Sequence, residues 1–227
     1  MELFGLSVIM PVFNNARVLP KTLSALTHYL SREFANYELI LVDDDSTDES
    51  PKILIAAASD NPNIRLLMHK HNQGQQQTIA DGAFLAREEI ILAVDADLPC
   101  ALADLKEMAI MTRKGYEFVM GKRPKNLRRS WWRGVGSRIA TMTFRQLYPF
   151  KISDFGCGIA AAHRRLIEER RSDAKPVRLL KLELLRLANT YIEIEIHPSE
   201  NSSTASTSYS FAKLLTLFLA LFFSRFR

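Results

Sequence analysis

Glu89-Ile90-Ile91-Leu92-Ala93-Val94-Asp95-Ala96-Asp97 is an apolar run that ends abruptly in two carboxylates one residue apart. An apolar stretch of this length reads as a buried strand, so the two aspartates emerge together from its C-terminal tip. Carboxylates in D-x-D spacing are hard oxygen ligands that reach a single divalent cation, and Mg2+ or Mn2+ suits them. The spacing alone also fits a solvated strand end, or an N-cap ahead of a helix over residues 101–112.

The chain on either side repeats the pattern. Leu6-Ser7-Val8-Ile9-Met10-Pro11-Val12-Phe13-Asn14-Asn15 is a β-rich run stopped by a loop. A second strand over 37–42 runs into Asp43-Asp44-Asp45-Ser46-Thr47-Asp48, and a third over 64–69 empties into His71-Asn72-Gln73-Gly74-Gln75. Helical stretches at 18–31, 48–58 and 75–87 separate them. Strands alternating with helices predict an α/β fold, a mainly parallel sheet flanked by helices with right-handed crossovers. All the polar strand ends then share one edge, where open α/β sheets bind ligands.

The segments V-I-M-P-V-F-N, V-D-D-D-S-T-D, N-x-G and D-A-D stand in an order and spacing that resemble the family 2 inverting glycosyltransferases of the Rossmann-like GT-A fold. Within that family the chain is most similar to the polyprenyl-phosphate sugar transferases. The resemblance implies a nucleotide-sugar donor, GDP- or UDP-linked, and a metal held by Asp95 and Asp97. It places the nucleotide at Pro11, Phe13, Asp44, Asn72, Gly74 and Ala96. Arg123, in a G-x-R motif after a further strand at 118–121, matches an arginine that contacts donor or acceptor phosphate, and Arg133 matches a second. Guanidinium suits that work because its planar donors bind phosphate oxygens bidentately. Ser153-Asp154-Phe155-Gly156-Cys157-Gly158-Ile159 resembles the family's D-x-x-x-G-F motif before a strand, so that Asp154 orients the acceptor or holds an arginine such as Arg123; a turn aspartate is the plainer alternative.

Three positions depart from the pattern. Pro99 stands where the family often has a metal-binding Gln, and Asn15 where an acidic residue usually meets the nucleotide. Ser202-Ser203-Thr204-Ala205-Ser206-Thr207-Ser208-Tyr209 keeps the hydroxyls of a phosphate-closing loop without its arginine and glycine.

At 227 residues and 47% hydrophobic content the chain suits one globular domain with a sizeable core. Its two cysteines, Cys100 and Cys157, lack metal-ligand spacing and suggest a reducing compartment. The N-terminus carries no signal-peptide pattern. The formal charge of +5 is concentrated between Glu117 and Asp154, a stretch without an acidic residue. Trp131 and Trp132 among its arginines fit a membrane interface, and nothing in the chain matches a nucleic-acid-binding module. His69, His71, His163 and His197 form no ligand spacing and read as ordinary surface or loop residues.

Residues 1–210 are expected to form the catalytic domain, and the apolar segment 211–227 is too short to span a bilayer. Lys213, Arg225 and Arg227 flank it, which suits an interfacial helix on a peripheral protein at the cytoplasmic membrane face. A core helix or a homo-oligomer interface is the alternative. Three functions follow. The first is sugar transfer to polyprenyl phosphate, an acceptor that is largely dianionic at neutral pH and needs no general base. Transfer to a hydroxyl of a glycan or glycolipid, and nucleotide-sugar binding without catalysis, are the others.

Overall fold

The computed structural model describes residues 2–124, 150–173 and 177–199. Its elements run β1 (Glu2–Val12), α1 (Leu19–Glu33), β2 (Phe34–Asp43), α2 (Ser50–Asp60), β3 (Ile64–Met68), α3 (Gln75–Leu85), β4 (Ile90–Ala93), α4 (Leu102–Arg113), β5 (Phe118–Lys122), β6 (Ala160–His163), α5 (Arg164–Ser172), α6 (Leu180–Leu187) and β7 (Tyr191–Glu195). Arg133, Trp131, Trp132, the stretch 202–209 and the segment 211–227 lie outside the described residues, as does the domain boundary expected at 210.

The sheet has the order β3-β2-β1-β4-β6-β5-β7. Strands β1 to β4 pair in parallel, as the alternation of strand and helix requires, and β7 is parallel to β5. Only β6 is antiparallel, to both β4 and β5. That reversal leaves β4 and β5 pointing the same way, so the ends of β1 to β5 and the entry to β6 all meet at one edge. Sequence patterning anticipated the first five strands and a strand after the glycine-rich segment; β7, α5 and α6 were not assigned.

The strand order reverses direction between β1 and β4, with β2 and β3 on one side, which is where a crevice opens in such sheets. Central strand β1 buries Leu6 through Met10 without a break, because helices cover both faces. Alternate residues feed two cores. Val8, Met10, Leu39 and Leu41 pack with Leu19, Leu26 and Leu30 of α1 and with Leu105 and Met108 of α4. Ile9, Ile40 and Val42 pack on the other face with Ile79 and Ala83 of α3 and with Leu166 and Leu180. Pro20 and Pro51 sit in the first turns of α1 and α2, where a missing N–H costs nothing. Among the described residues no helix is long and apolar enough to cross a membrane. Both cysteines are buried and free.

Candidate active site

Beyond β4 the chain continues to alternate: Val94, Ala96, Leu98 and Cys100 are buried, while Asp95, Asp97 and Pro99 are half-buried. The period of two turns both carboxylates away from the core. Ala96 sends its methyl into that core, so only its backbone is left to a ligand. Leu98 adopts φ 45°, a left-handed conformation costing a side-chain-bearing residue about 1–2 kcal/mol, and its N–H closes a turn onto the Asp95 carbonyl at 3.0 Å. Burial of its side chain, and the bridge between Cys100 and Pro198 just beyond, hold the turn in place.

The Asp95 carboxyl is pushed above the usual aspartate range, first by burial and then by the charge of Asp97; Lys181, a hydrogen bond from Gln75 and Arg123 pull it partly back. Burial likewise raises Asp97, against its own backbone amide. Two desolvated carboxylates whose charges oppose one another are stabilised by a shared cation, and their oxygens are the donors that Mg2+ or Mn2+ prefers. The residues present fit a divalent metal. Gly158 closes the far side: a Cβ there would stand 1.9 Å from Asp95 Oδ2, so any side chain at this position would displace the carboxylate.

The tip of β2 is built differently. Asp44 is 3% exposed, and its carboxylate accepts from the backbone N–H groups of Gln73 at 2.7 Å and Gly74 at 2.9 Å, with His69 Nδ1 at 2.9 Å. Asn72 Nδ2 donates to the Asp44 carbonyl at 3.0 Å. Burial alone would raise this carboxyl, but the hydrogen bonds outweigh it and hold it below the usual range. Asp44 therefore shapes the loop carrying Asn72 and Gly74, the latter at φ 83°, instead of presenting a free acceptor. Its neighbour Asp43, also buried, accepts from Ser46 N–H through Oδ2 and leaves Oδ1 without a partner.

Pro11 lies in β1 opposite Val42, and Phe13 just beyond it is 49% exposed at the same edge. Asn14, at φ 52°, stitches this loop to the next by accepting from the N–H groups of Thr47 and Asp48. Asn15 faces inward on its own turn: its side chain accepts from Phe13 N–H and its carbonyl from Val18 and Leu19 at the start of α1.

At the end of β5, Arg123 is fixed by Asp154. Nε donates to Oδ2 at 2.8 Å, Nη2 to Oδ1 at 2.9 Å, and the Arg123 backbone N–H to Oδ2 at 3.1 Å. Asp154 is only 4% exposed, whereas the arginine side chain is 49% exposed. Asp154 thus holds Arg123, one of the alternatives open for it. The guanidinium keeps N–H groups free to face the edge that carries Asp95.

Several residues escaped the sequence reading. His69, read as an ordinary surface or loop residue, is instead 9% exposed between two carboxylates. Nε2 lies 3.2 Å from Asp81 Oδ2 without a hydrogen bond between them. Its only local signal was a polar residue closing a strand. Lys181, in the first turn of α6, donates to the Cys157 carbonyl and stands among Asp95, Asp154 and Arg123. Burial lowers its ammonium below the usual lysine value, and the charges of Asp95 and Asp154 oppose that. A lysine inside Leu179-Leu180-Lys181-Leu182 was the signal available. His197 too has a defined partner, Asp104 in α4, at 2.8 Å.

The sequence and the fold both have relatives. A protein from Proteus mirabilis named undecaprenyl-phosphate 4-deoxy-4-formamido-L-arabinose transferase is 32% identical over 222 residues, covering 93% of this chain and 64% of the relative. The protein of the same name from Photorhabdus laumondii is 31% identical, over 93% of this chain and 65% of its own. The chain thus spans just under two thirds of the length of these curated relatives. Glucosyl-3-phosphoglycerate synthase from Mycobacterium tuberculosis, solved with Mn2+, UDP and glucosyl-3-phosphoglycerate, superposes with a TM-score of 0.67 at 14% identity, covering 98% of this chain and 80% of that one. The mannosyltransferase PcManGT from Pyrobaculum calidifontis, solved with GDP-Man and Mn2+, gives 0.60 at 18% identity, over 88% and 58%. These two establish a shared GT-A-type fold. Residues 7–171 match the model of glycosyl transferase family 2, and the chain belongs to that family.

Proposed function

We propose that this protein transfers a sugar from a nucleoside-diphosphate donor to a polyprenyl phosphate, with inversion, as a peripheral protein at the cytoplasmic face of a membrane. The observation that carries the reading is the Asp95/Asp97 pair, two carboxylates above the usual range at the sheet edge where the polar strand ends collect. The acceptor class rests on relatives named for undecaprenyl phosphate that cover 93% of the chain.

When bound at that pair, Mg2+ or Mn2+ would supply Lewis-acid neutralisation of the departing diphosphate. The chain's own residues do the rest. Phe13 offers an exposed ring for a base to stack on, and the loop from Asn72 to Gly74, held by Asp44, forms the neighbouring wall. Arg123 presents a pre-oriented guanidinium to phosphate, and the Asp154 carboxylate fixes its plane, so little side-chain entropy is lost on binding. Asp154 is buried and committed to that arginine, which leaves it unsuited to act as a general base. A phosphate acceptor requires none, since its second pKa is about 6 and the attacking oxygen already carries charge.

The test is to incubate protein and membranes with a panel of radiolabelled GDP- and UDP-sugars and extract the lipid. Label released from the lipid by mild acid is the expected result. Label found only in glycan or glycolipid that resists mild acid would replace polyprenyl phosphate with a hydroxyl acceptor.

A further inference from the structure

Gln75-Gln76-Gln77 opens α3, and each amide is used by a different part of the molecule. Gln77 Nε2 donates to Asp81 Oδ1 at 2.8 Å within the helix. Gln76 Oε1 accepts the N–H of Leu180 at 3.1 Å, which ties α3 to the start of α6. Gln75 Nε2 donates to Asp95 Oδ1 at 2.8 Å across the crevice. The start of the helix beneath these side chains is anchored at Gly74 by Asp44. Gln75 itself remains exposed, so its terminal amide is free to turn.

We propose that Gln75 is a further residue of the metal centre, its side-chain oxygen being the third that the protein gives to the cation. The proposal rests on the reading of Asp95 and Asp97 as the metal's carboxylate ligands. Among the described residues no third His, Cys, Asp or Glu joins that pair, and Pro99, two residues on, has no donor atom in its side chain. A hard divalent cation takes about six oxygen ligands, side-chain amide oxygens included. Without a cation the Gln75 amide N–H faces Asp95 and keeps that carboxylate turned toward the crevice. A positive ion repels the NH2 end of the amide and attracts its oxygen, and the soft terminal torsion of glutamine permits the half-turn that exchanges them. One side chain thus orients Asp95 while the site waits and coordinates when it fills.

The experiment measures Mn2+ affinity in the presence of UDP, by electron paramagnetic resonance of free Mn2+, for the parent and for Gln75→Leu, Gln75→Glu and Asp97→Asn. Gln75→Leu should bind about 10- to 100-fold more weakly than the parent. Gln75→Glu, which keeps an oxygen in place, should bind at least as tightly as the parent, and it carries the test alone if the leucine variant melts early. Parent-like affinity in Gln75→Leu, with Asp97→Asn defective, overturns the role of Gln75 and leaves the carboxylate pair standing. So does a Gln75→Glu affinity no better than that of Gln75→Leu. If Asp97→Asn also binds like the parent, the metal reading itself fails and takes this proposal with it.

Discussion

The tips of β2 and β4 each present an aspartate to the same crevice, and the two are opposites. Asp44 accepts from two backbone N–H groups and meets one imidazole, and its carboxyl sits below the ordinary range. Asp95 has one side-chain amide and a like-charged neighbour, and its carboxyl sits above it. Desolvation pushes both upward, although Asp44 is almost wholly buried and Asp95 half-buried, so burial alone does not separate them. The number of donors does: a carboxylate with several N–H groups around it is already solvated by the protein, and one with a single amide beside a like charge has more to gain from a cation. The first kind of aspartate builds the loop beside the crevice, and the second kind is the one the proposed function uses.

The strongest way to break this comparison is Asp97→Asn. Losing a Lewis-acid contribution of several kcal/mol should cut transfer to lipid by ~10²-fold or more, while removing a repulsive charge leaves the thermal midpoint equal or higher. Near-normal turnover of that variant in chelator would mean that the β4 tip is as structural as the β2 tip. Next in size is Asp44→Ala, which strands two backbone donors and a histidine. It should lose about 2–4 kcal/mol in urea unfolding, with the loop from Asn72 to Gly74 loosened. An unchanged midpoint would erase the distinction from the other side.

The smallest effect sharpens the contrast through pH. Because the folded-state value of Asp44 is depressed, its stabilisation is present above the unfolded value of about 3.9 and is lost as pH falls through the lower folded value. The stability gap between the parent and Asp44→Asn should therefore be widest near neutrality and close in acid. A gap that stays constant down to acid unfolding would show that the Asp44 charge contributes nothing and that only its shape matters.

Much of this site was visible in the chain. Asp95 and Asp97 stood out because a buried strand tolerates no carboxylate inside it, so a pair at its end marks the exit from the sheet. Arg123 and Asp154 were each suspected, yet their bond joins residues 31 apart and was one of several options. His69, Lys181 and Gln75 were silent. Each is a common residue whose local pattern is ordinary, and each acquires a role only from a partner on another element: Asp44 and Asp81 for the histidine, Cys157 and Asp95 for the lysine, Asp95 for the glutamine.

By itself the sequence determined the alternation of strand and helix, the edge where polar strand ends gather, and the pair of aspartates that alternation turns away from the core. These are consequences of hydrophobic periodicity, which acts between near neighbours in the chain. The tertiary structure alone decided that β6 runs backward and so brings Arg123 and the glycine-rich loop to the edge of β4. It also decided that Asp44 gathers two backbone donors and an imidazole while Asp95 is left with one side-chain amide. The physical reason is that desolvation and hydrogen bonding depend on what surrounds a group in space, and for these carboxylates the surroundings come from distant parts of the chain.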